Sequence, residues 1–176
     1  TVNYRESYDL FGVNGILFNH EGPRRGETFV TRKITKAVSK IFKEGKGCLL
    51  LGNLNSKRDW GSAKDYVECM WLMLQAKKPE DFVIATGKSF TVKHFVEKAF
   101  NYVGIKIKWK GKGLKEVGYD DKTRRILVRV DPIYFRPSEV FELRGNSSKA
   151  KKILGWKPKT SFNDLIKEMM DIDLRG

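Results

Sequence analysis

Val13-Asn14-Gly15-Ile16-Leu17-Phe18-Asn19-His20-Glu21-Gly22-Pro23-Arg24-Arg25-Gly26 is the stretch that decides the fold class. Residues 13–18 form a short, mainly apolar run suited to a buried parallel strand. That strand delivers the chain into an amide, an imidazole and two guanidinium groups. In open α/β sheets ligands bind beyond the carboxyl ends of strands, so these polar groups stand where a ligand is expected. Arginine's planar fork matches phosphate oxygens. Gly22, Pro23 and Gly26 let the backbone turn sharply and approach a ligand closely. The loop reads as a holder of nucleotide-type phosphates. An exposed basic turn beside a core histidine is the plainer alternative; position and composition together favour binding.

Working outward, residues 2–11 read as the end of a helix closed by Gly12. With no capping residue before Val2, the chain is expected to begin mid-structure. Val30, Ile34, Val38, Ile41 and Phe42 recur at helical spacing until Gly45, with Lys33, Lys36, Lys40 and Lys43 on the solvent side. Cys48–Leu51 is a second buried-strand candidate ending at Gly52-Asn53, followed by the polar stretch 56–61. A strongly apolar helix runs from about Ala63 to Gln75, before Pro79. Phe82–Ala85 is a third strand, and Val92, Phe95, Val96, Ala99 and Val103 mark another helix stopped by Gly104. Period-two alternation makes strands of 106–110 and 125–130. Gly111, Gly113 and Gly118 suggest a loop between them, and 134–139 reads as another. Ser147 and Ser161 are expected to cap helices over 148–154 and about 163–171. Alternating strands and helices without a repeat or long linker give an α/β fold.

A chain of 176 residues, 40% hydrophobic and 12% aromatic, can build a real core as one domain or one large piece of a bigger one. No apolar run approaches the roughly 18–20 residues needed to cross a bilayer, and residues 1–6 lack a signal-peptide core. Cys48 and Cys69 read as reduced thiols, so an intracellular, cytoplasmic protein is expected. The formal charge of +14 implies anionic partners. Lys106-Ile-Lys-Trp-Lys-Gly-Lys suggests single-stranded nucleic acid. Salt-dependent, sequence-blind binding is expected of almost any chain this basic, so a specific nucleic-acid partner ranks below a nucleotide.

Two further constellations fit a nucleotide. In Arg58-Asp59-Trp60, Asp59 is expected to orient Arg58 while Trp60 packs beneath; a surface ion pair on an indole is the alternative. In Arg136-Pro137-Ser138-Glu139, the arginine suits phosphate and the carboxylate suits ribose hydroxyls, against the alternative of an ordinary turn. His20 and His94 are too few and too separated for a metal site with these cysteines. The chain has neither a Gly-x-Gly-x-x-Gly nor a P-loop phosphate fingerprint, and no serine sits on a nucleophile elbow.

The run 13–21, Pro23-Arg24-Arg25-Gly26, residues 29–34, Gly52-Asn53-Leu54, Lys57-Arg58-Asp59-Trp60-Gly61, residues 63–68, 81–87 and 134–140, and Leu154-Gly155-Trp156-Lys157-Pro158 occur in order. On these the chain resembles the GDP-mannose 4,6-dehydratase family, extended short-chain dehydrogenase/reductases, over essentially its whole length. The resemblance implies the C-terminal part of such an enzyme: last Rossmann strands plus a small α/β substrate-binding domain. Residues 1–21 and about 62–88 would lie on the Rossmann side, and about 22–61 and 89–176 in the substrate-binding domain. It also implies that His20 and Arg25 contact NADP, and that Asn19 contacts the GDP-sugar diphosphate, so cofactor and nucleotide sugar would meet at the 19–26 loop. Thr31 and Lys33 would lie near the guanine, Arg58 and Arg136 would clamp the diphosphate, and Glu139 would hold the ribose.

The family's Gly-rich loop, catalytic Thr and Glu, and Tyr-x-x-x-Lys pair all precede the segment that matches here. The resemblance therefore implies no catalytic residue in this chain and no turnover by it alone. The family's reaction oxidises mannose C4 with NADP, eliminates water across C5 and C6, and returns the hydride at C6. The product serves GDP-fucose and GDP-deoxyhexose biosynthesis. Expected partners are GDP-mannose or GDP and an N-terminal Rossmann half or full-length enzyme, with a homo-oligomer in the intact enzyme. The alternative is a non-catalytic nucleotide-sugar-binding or regulatory relic that associates with full-length enzyme.

Overall fold

In the computed structural model, which describes residues 1–176, the elements follow in this order: α1 (Val2–Tyr8), β1 (Asn14–Leu17), β2 (Asn19–Glu21), α2 (Val30–Glu44), β3 (Leu49–Leu51), β4 (Lys57–Arg58), β5 (Trp60–Ser62), α3 (Ala63–Leu74), β6 (Asp81–Ile84) and β7 (Phe90–Thr91). Then come α4 (Val92–Tyr102), β8 (Ile107–Lys110), a 3-10 turn (Gly113–Lys115), β9 (Val117–Asp120), β10 (Ile126–Val130), β11 (Glu142–Leu143), α5 (Ser148–Leu154) and α6 (Phe162–Arg175). The class is α/β, as expected.

The deciding stretch forms two strands. β1 pairs in parallel with β6. At Phe18 the chain leaves that pairing, and β2 runs parallel to β5, with Asn19 opposite Trp60 and His20 opposite Gly61. Gly61 has to lack a side chain there, because a Cβ would stand 2.5 Å from the Tyr66 ring. β1 has no second neighbour in its sheet, and Ile16 is exposed. A four-stranded sheet in the order β3-β10-β9-β8 and a small β11-β4-β7 sheet complete the strands.

Two apolar cores result. In the larger, Ile34, Val38 and Ile41 of α2, Phe95 and Phe100 of α4, and Met169 and Met170 of α6 close over β3 and β10. Each such side chain, fully buried, contributes on the order of 1.5–3 kcal/mol. Gly45 ends α2 in the left-handed region at φ 66, its N–H returned to the Ile41 carbonyl. The smaller core sets Tyr66, Cys69 and Met73 of α3 against Phe82, Ile84, Ala150 and Trp156. Trp156 Nε1 donates to the Asp65 carbonyl at 2.9 Å, while the Asp65 carboxylate accepts from the Lys159 and Thr160 amides. No helix is long and apolar enough to cross a membrane.

Several local expectations are corrected. α1 is closed by Asp9 at φ 51, a conformation a short polar side chain tolerates, and not by Gly12, whose carbonyl accepts from Arg5 Nε. The polar stretch 56–61 holds β4 and the start of β5. Gly118 lies within β9; a Cβ there would crowd Trp109, Val128 and Ile107 at 3.0–3.2 Å. Ser147 makes no cap; the Asn146 side chain accepts from the Ser148 amide in its place. Ser161 does cap α6, accepting from the Asp164 amide, and that helix runs on to Arg175.

Candidate functional site

Lys33 in the first turns of α2, Gly52-Asn53 after β3, Arg58 of β4, and Tyr134, Arg136 and Glu139 on the loop before β11 converge on one cleft of about 420 Å³. Gly52 lets the loop in: a Cβ would lie 2.0 Å from the Tyr134 carbonyl oxygen, so only glycine permits that approach. Asn53 then holds it, with Nδ2 donating to the Arg136 carbonyl and Oδ1 accepting from the Arg136 amide, both at 2.9 Å. Lys33 Nζ sits 3.4 Å from the Tyr134 ring centroid, a cation–π contact. It was expected among the solvent-facing lysines and is half-buried.

Arg58 Nη1 donates at 2.8 Å to the carbonyls of Lys57 and Val140, and Nη2 pairs with Glu139. Its guanidinium is thereby fixed in orientation. Arg136 is the exposed counterpart, its side chain 79% exposed and 4.0 Å from the second Glu139 oxygen. Three cations around one carboxylate leave the cleft attractive to a polyanion.

Asp59 does not orient Arg58. Neighbouring residues of an extended chain face opposite ways, and Asp59 turns into the protein, where it is fully buried. It accepts from the Thr86 amide and hydroxyl at 2.9 and 2.6 Å, and from the amides of Gly87 and Gly145 at 2.9 and 3.2 Å. Trp60 lies in the larger core, edge-on to Phe95.

A second cleft of about 230 Å³ runs along His20, Gly22, Arg24, Arg25 and Lys64. His20 Nδ1 is 3.0 Å from the Phe18 carbonyl. A carbonyl only accepts, so Nδ1 carries a proton and donates it there. Glu21 is buried, takes the Thr31 hydroxyl at 2.5 Å and faces Arg25 Nε at 3.3 Å. Burial pushes its carboxyl above the ordinary value; the Thr31 hydrogen bond and the charges of Arg25 and His20 oppose that rise. Arg25 also lies over the Phe29 ring at 3.7 Å.

The 19–26 loop lines this second cleft, which shares no lining residue with the Arg58 cleft. Thr31, expected near the base with Lys33, is fully buried and spends its hydroxyl on Glu21. Asn19 sits one residue before the His20 rim, half-buried opposite Trp60. Asn53 and Tyr134 went unread as site residues, although a Gly-Asn pair at a strand's carboxyl end was a usable signal.

Trp109, the aromatic of the basic strand, gives its Nε1 to Glu97 at 2.8 Å and its face to Lys93, so it offers no free stacking platform. Tyr102 and Lys106 repeat a Tyr-x-x-x-Lys spacing, but Gly104 at φ 78 ends the helix between them and the Tyr102 hydroxyl is held by Asp171.

A family profile described as GDP-mannose 4,6 dehydratase matches residues 1–169. The chain belongs to that family. It is 59% identical to the GDP-mannose 4,6 dehydratase of Dictyostelium discoideum over 173 residues, covering 98% of this chain and 49% of that protein. It is 56% identical to the human one, covering 98% and 46%. The Yersinia enterocolitica GDP-mannose 4,6-dehydratase is 53% identical over 185 residues, covering 99% and 50%. The chain therefore spans about half the length of the curated relatives it matches.

Among solved structures, RMD from Pseudomonas aeruginosa complexed with NADPH superposes with TM-score 0.79 at 13% identity, covering 99% of this chain and 52% of that one. The dTDP-glucose 4,6-dehydratase from Bacillus anthracis in complex with NAD gives 0.76 at 18%, covering 99% and 48%. At such identities the likeness shows the fold, which is that of about half an extended short-chain dehydrogenase/reductase.

Proposed function

We propose that this chain is the nucleotide-sugar-binding portion of a GDP-mannose 4,6-dehydratase, taking the GDP moiety of GDP-mannose in the cleft of Lys33, Asn53, Arg58, Arg136 and Glu139. The observation that carries this reading is the convergence of four charged side chains from three separate segments on one opening. Arg58, held by two carbonyls, presents a fixed fork to the diphosphate, and exposed Arg136 closes from the loop. Glu139 accepts from the ribose hydroxyls. Tyr134 and Phe29 supply ring faces for the guanine, with Lys33 beside them. Asn19 meets the diphosphate from the β2 side.

His20 and Arg25 face NADP in the same reading. The donor set fits a phosphate-bearing cofactor: Arg24, Arg25 and Lys64 surround the second cleft, Arg25 paired with Glu21 and Lys64 with Glu168, while Arg24 has no ion-pair partner. His20 and Arg25 would hold NADP there, and the cofactor would supply hydride transfer. This chain's own residues bind and orient; the family's base and acid groups precede the matching segment, so no turnover is proposed for the chain alone.

The same reading assigns residues 1–21 and about 62–88 to the Rossmann side and the remainder to the substrate-binding side. α5 is the exception, since Ala150 and Leu154 pack on the smaller core. Its compartment is the cytoplasm, in keeping with two free thiols.

Calorimetry with GDP tests the reading. GDP is expected to bind, and Arg58→Ala and Arg136→Ala each to weaken it by about tenfold or more, because a charge-assisted hydrogen bond is lost. No heat with GDP at millimolar concentration, or variants indistinguishable from the parent, overturns it.

A second reading, a non-catalytic partner of a longer family member, is favoured by unpartnered apolar surface. α1 buries none of its residues, and Val67, Trp71 and Leu74 of α3 are exposed. Sizing the chain alone and mixed with a full-length relative decides it; a stable lone monomer that ignores the relative counts against association.

A further inference from the structure

A third opening, of about 410 Å³, lies away from both clefts, between the segment after β6, the exposed side of α4 and the start of α6. Lys88, Lys98, Lys159 and His94 stand on its wall with the hydroxyls of Thr86 and Thr160, and no carboxylate lines it. Lys159 is engaged by Glu68 at 2.6 Å. Lys88 and Lys98 have no ion-pair partner, so their charge is available to a ligand. Asp164, in the first turn of α6, is turned to the Ser161 hydroxyl at 2.6 Å and stands outside the wall.

The floor is aromatic. Phe90 and Phe162 stack at 3.9 Å and 11°. His94 is 5.8 Å from each, at 17° and 13°, and Trp60 is 6.1 Å from Phe162 at 17°. These four rings are close to parallel, and the His94 side chain is 40% exposed, leaving ring surface open to the cleft.

One polar atom in this wall is unexplained. Trp60 Nε1 is buried and has no hydrogen-bond partner, whereas Trp109 gives its indole N–H to Glu97 and Trp156 gives its own to the Asp65 carbonyl. Buried indole donors are normally paired, so Trp60, whose ring borders this cleft, carries an unpartnered N–H behind its wall.

We propose that this opening is a second anion site, taking a ligand that carries both a phosphate and a planar ring, of the nucleoside monophosphate class. The phosphate takes Lys88 and Lys98 beside the amino end of α6, whose dipole favours negative charge. The ring lies along His94 and the Phe90–Phe162 stack, and an acceptor on the ligand meets Trp60 Nε1. The site shares no residue with the Arg58 cleft, and the proposal does not depend on what that cleft binds.

The Trp60 indole signal in a nitrogen–proton correlation spectrum of the whole chain, assigned through its own backbone resonances, reports the site directly. Guanosine monophosphate is expected to move it saturably in the millimolar range. Combining Lys88→Ala with Lys98→Ala should weaken that titration by about tenfold, while Arg58→Ala leaves it unchanged. Three results overturn the proposal: an indole that does not move, a curve abolished by Arg58→Ala, or one reproduced by inorganic phosphate, which marks an adventitious ion only.

Discussion

Asn53 grips the backbone of Arg136 with both ends of its amide, donating to the carbonyl and accepting from the N–H of the same residue at 2.9 Å each. A side-chain amide is the one common group able to do both at once. The loop that carries Arg136 and Glu139 is thereby docked on the end of β3. Both bonds are solvent-accessible, so Asn53→Ala is expected to cost only about 1 kcal/mol in a urea denaturation. Its effect on GDP affinity should exceed its effect on stability, because Arg136 loses its anchor. Asn53→Asp keeps the acceptor and loses the donor, and should not restore affinity; calorimetry of the two variants against the parent reads this out.

Asp59 organises the protein from the inside. Asp59→Ala would strand the buried Gly145 N–H, the part-buried N–H groups of Thr86 and Gly87, and the Thr86 hydroxyl. Each orphan costs about 1–3 kcal/mol, so a loss of at least about 3 kcal/mol is expected from denaturant melts. Asp59→Asn should do nearly as badly, since its amide nitrogen would face the amides of Gly87 and Gly145.

α1 is held by one ion pair: Arg5 Nη2 meets Asp81 Oδ1 at 2.5 Å while Arg5 Nε donates to the Gly12 carbonyl. The hydrogen bond from Arg5, then that from Asn14, keeps the Asp81 carboxyl below its ordinary value of 3.8. A carboxylate lowered in the folded state contributes stability that is present above 3.8 and lost as pH falls through its folded value. Amide exchange in α1 should stay protected down to that range and rise below it. Arg5→Ala should leave α1 unprotected at neutral pH.

Burial raises both thiols, that of Cys69 to about 11, and of the two only Cys48 is exposed. Thiolate is the reactive form. A thiol reagent at mildly alkaline pH should therefore modify one cysteine of the native chain, identified by peptide mapping as Cys48. Cys69 should react only on unfolding.

Much of this was legible along the chain. The apolar spacing of Ile34, Val38 and Ile41 marked α2, and Gly45 and Gly155 marked helix ends, because periodicity and left-handed caps act within one or two turns. Arg58, Arg136 and Glu139 were legible as ligand-facing from their chemistry, Lys33 only from the family resemblance, and the four share a cleft. Less legible was anything set by a neighbour distant in sequence. Gly118 looked like a loop residue because the side chains that forbid a Cβ there come from β8 and β10. Asn53 looked incidental because its partner lies on a loop far down the chain. The 56–61 stretch read only as polar, because its strands pair with β2, β7 and β11.

Returning to 13–26, the sequence by itself determined a strand ending in a polar, phosphate-matched loop, since burial preference and turn chemistry belong to the residues themselves. Packing between distant segments set the break of the strand at Phe18, the burial of Glu21 against Thr31 and Arg25, and the separation of the His20 cleft from the Arg58 cleft. Those outcomes depend on β5 and α2 packing around the loop, and a side chain's facing is set by whichever surface excludes water from its other side.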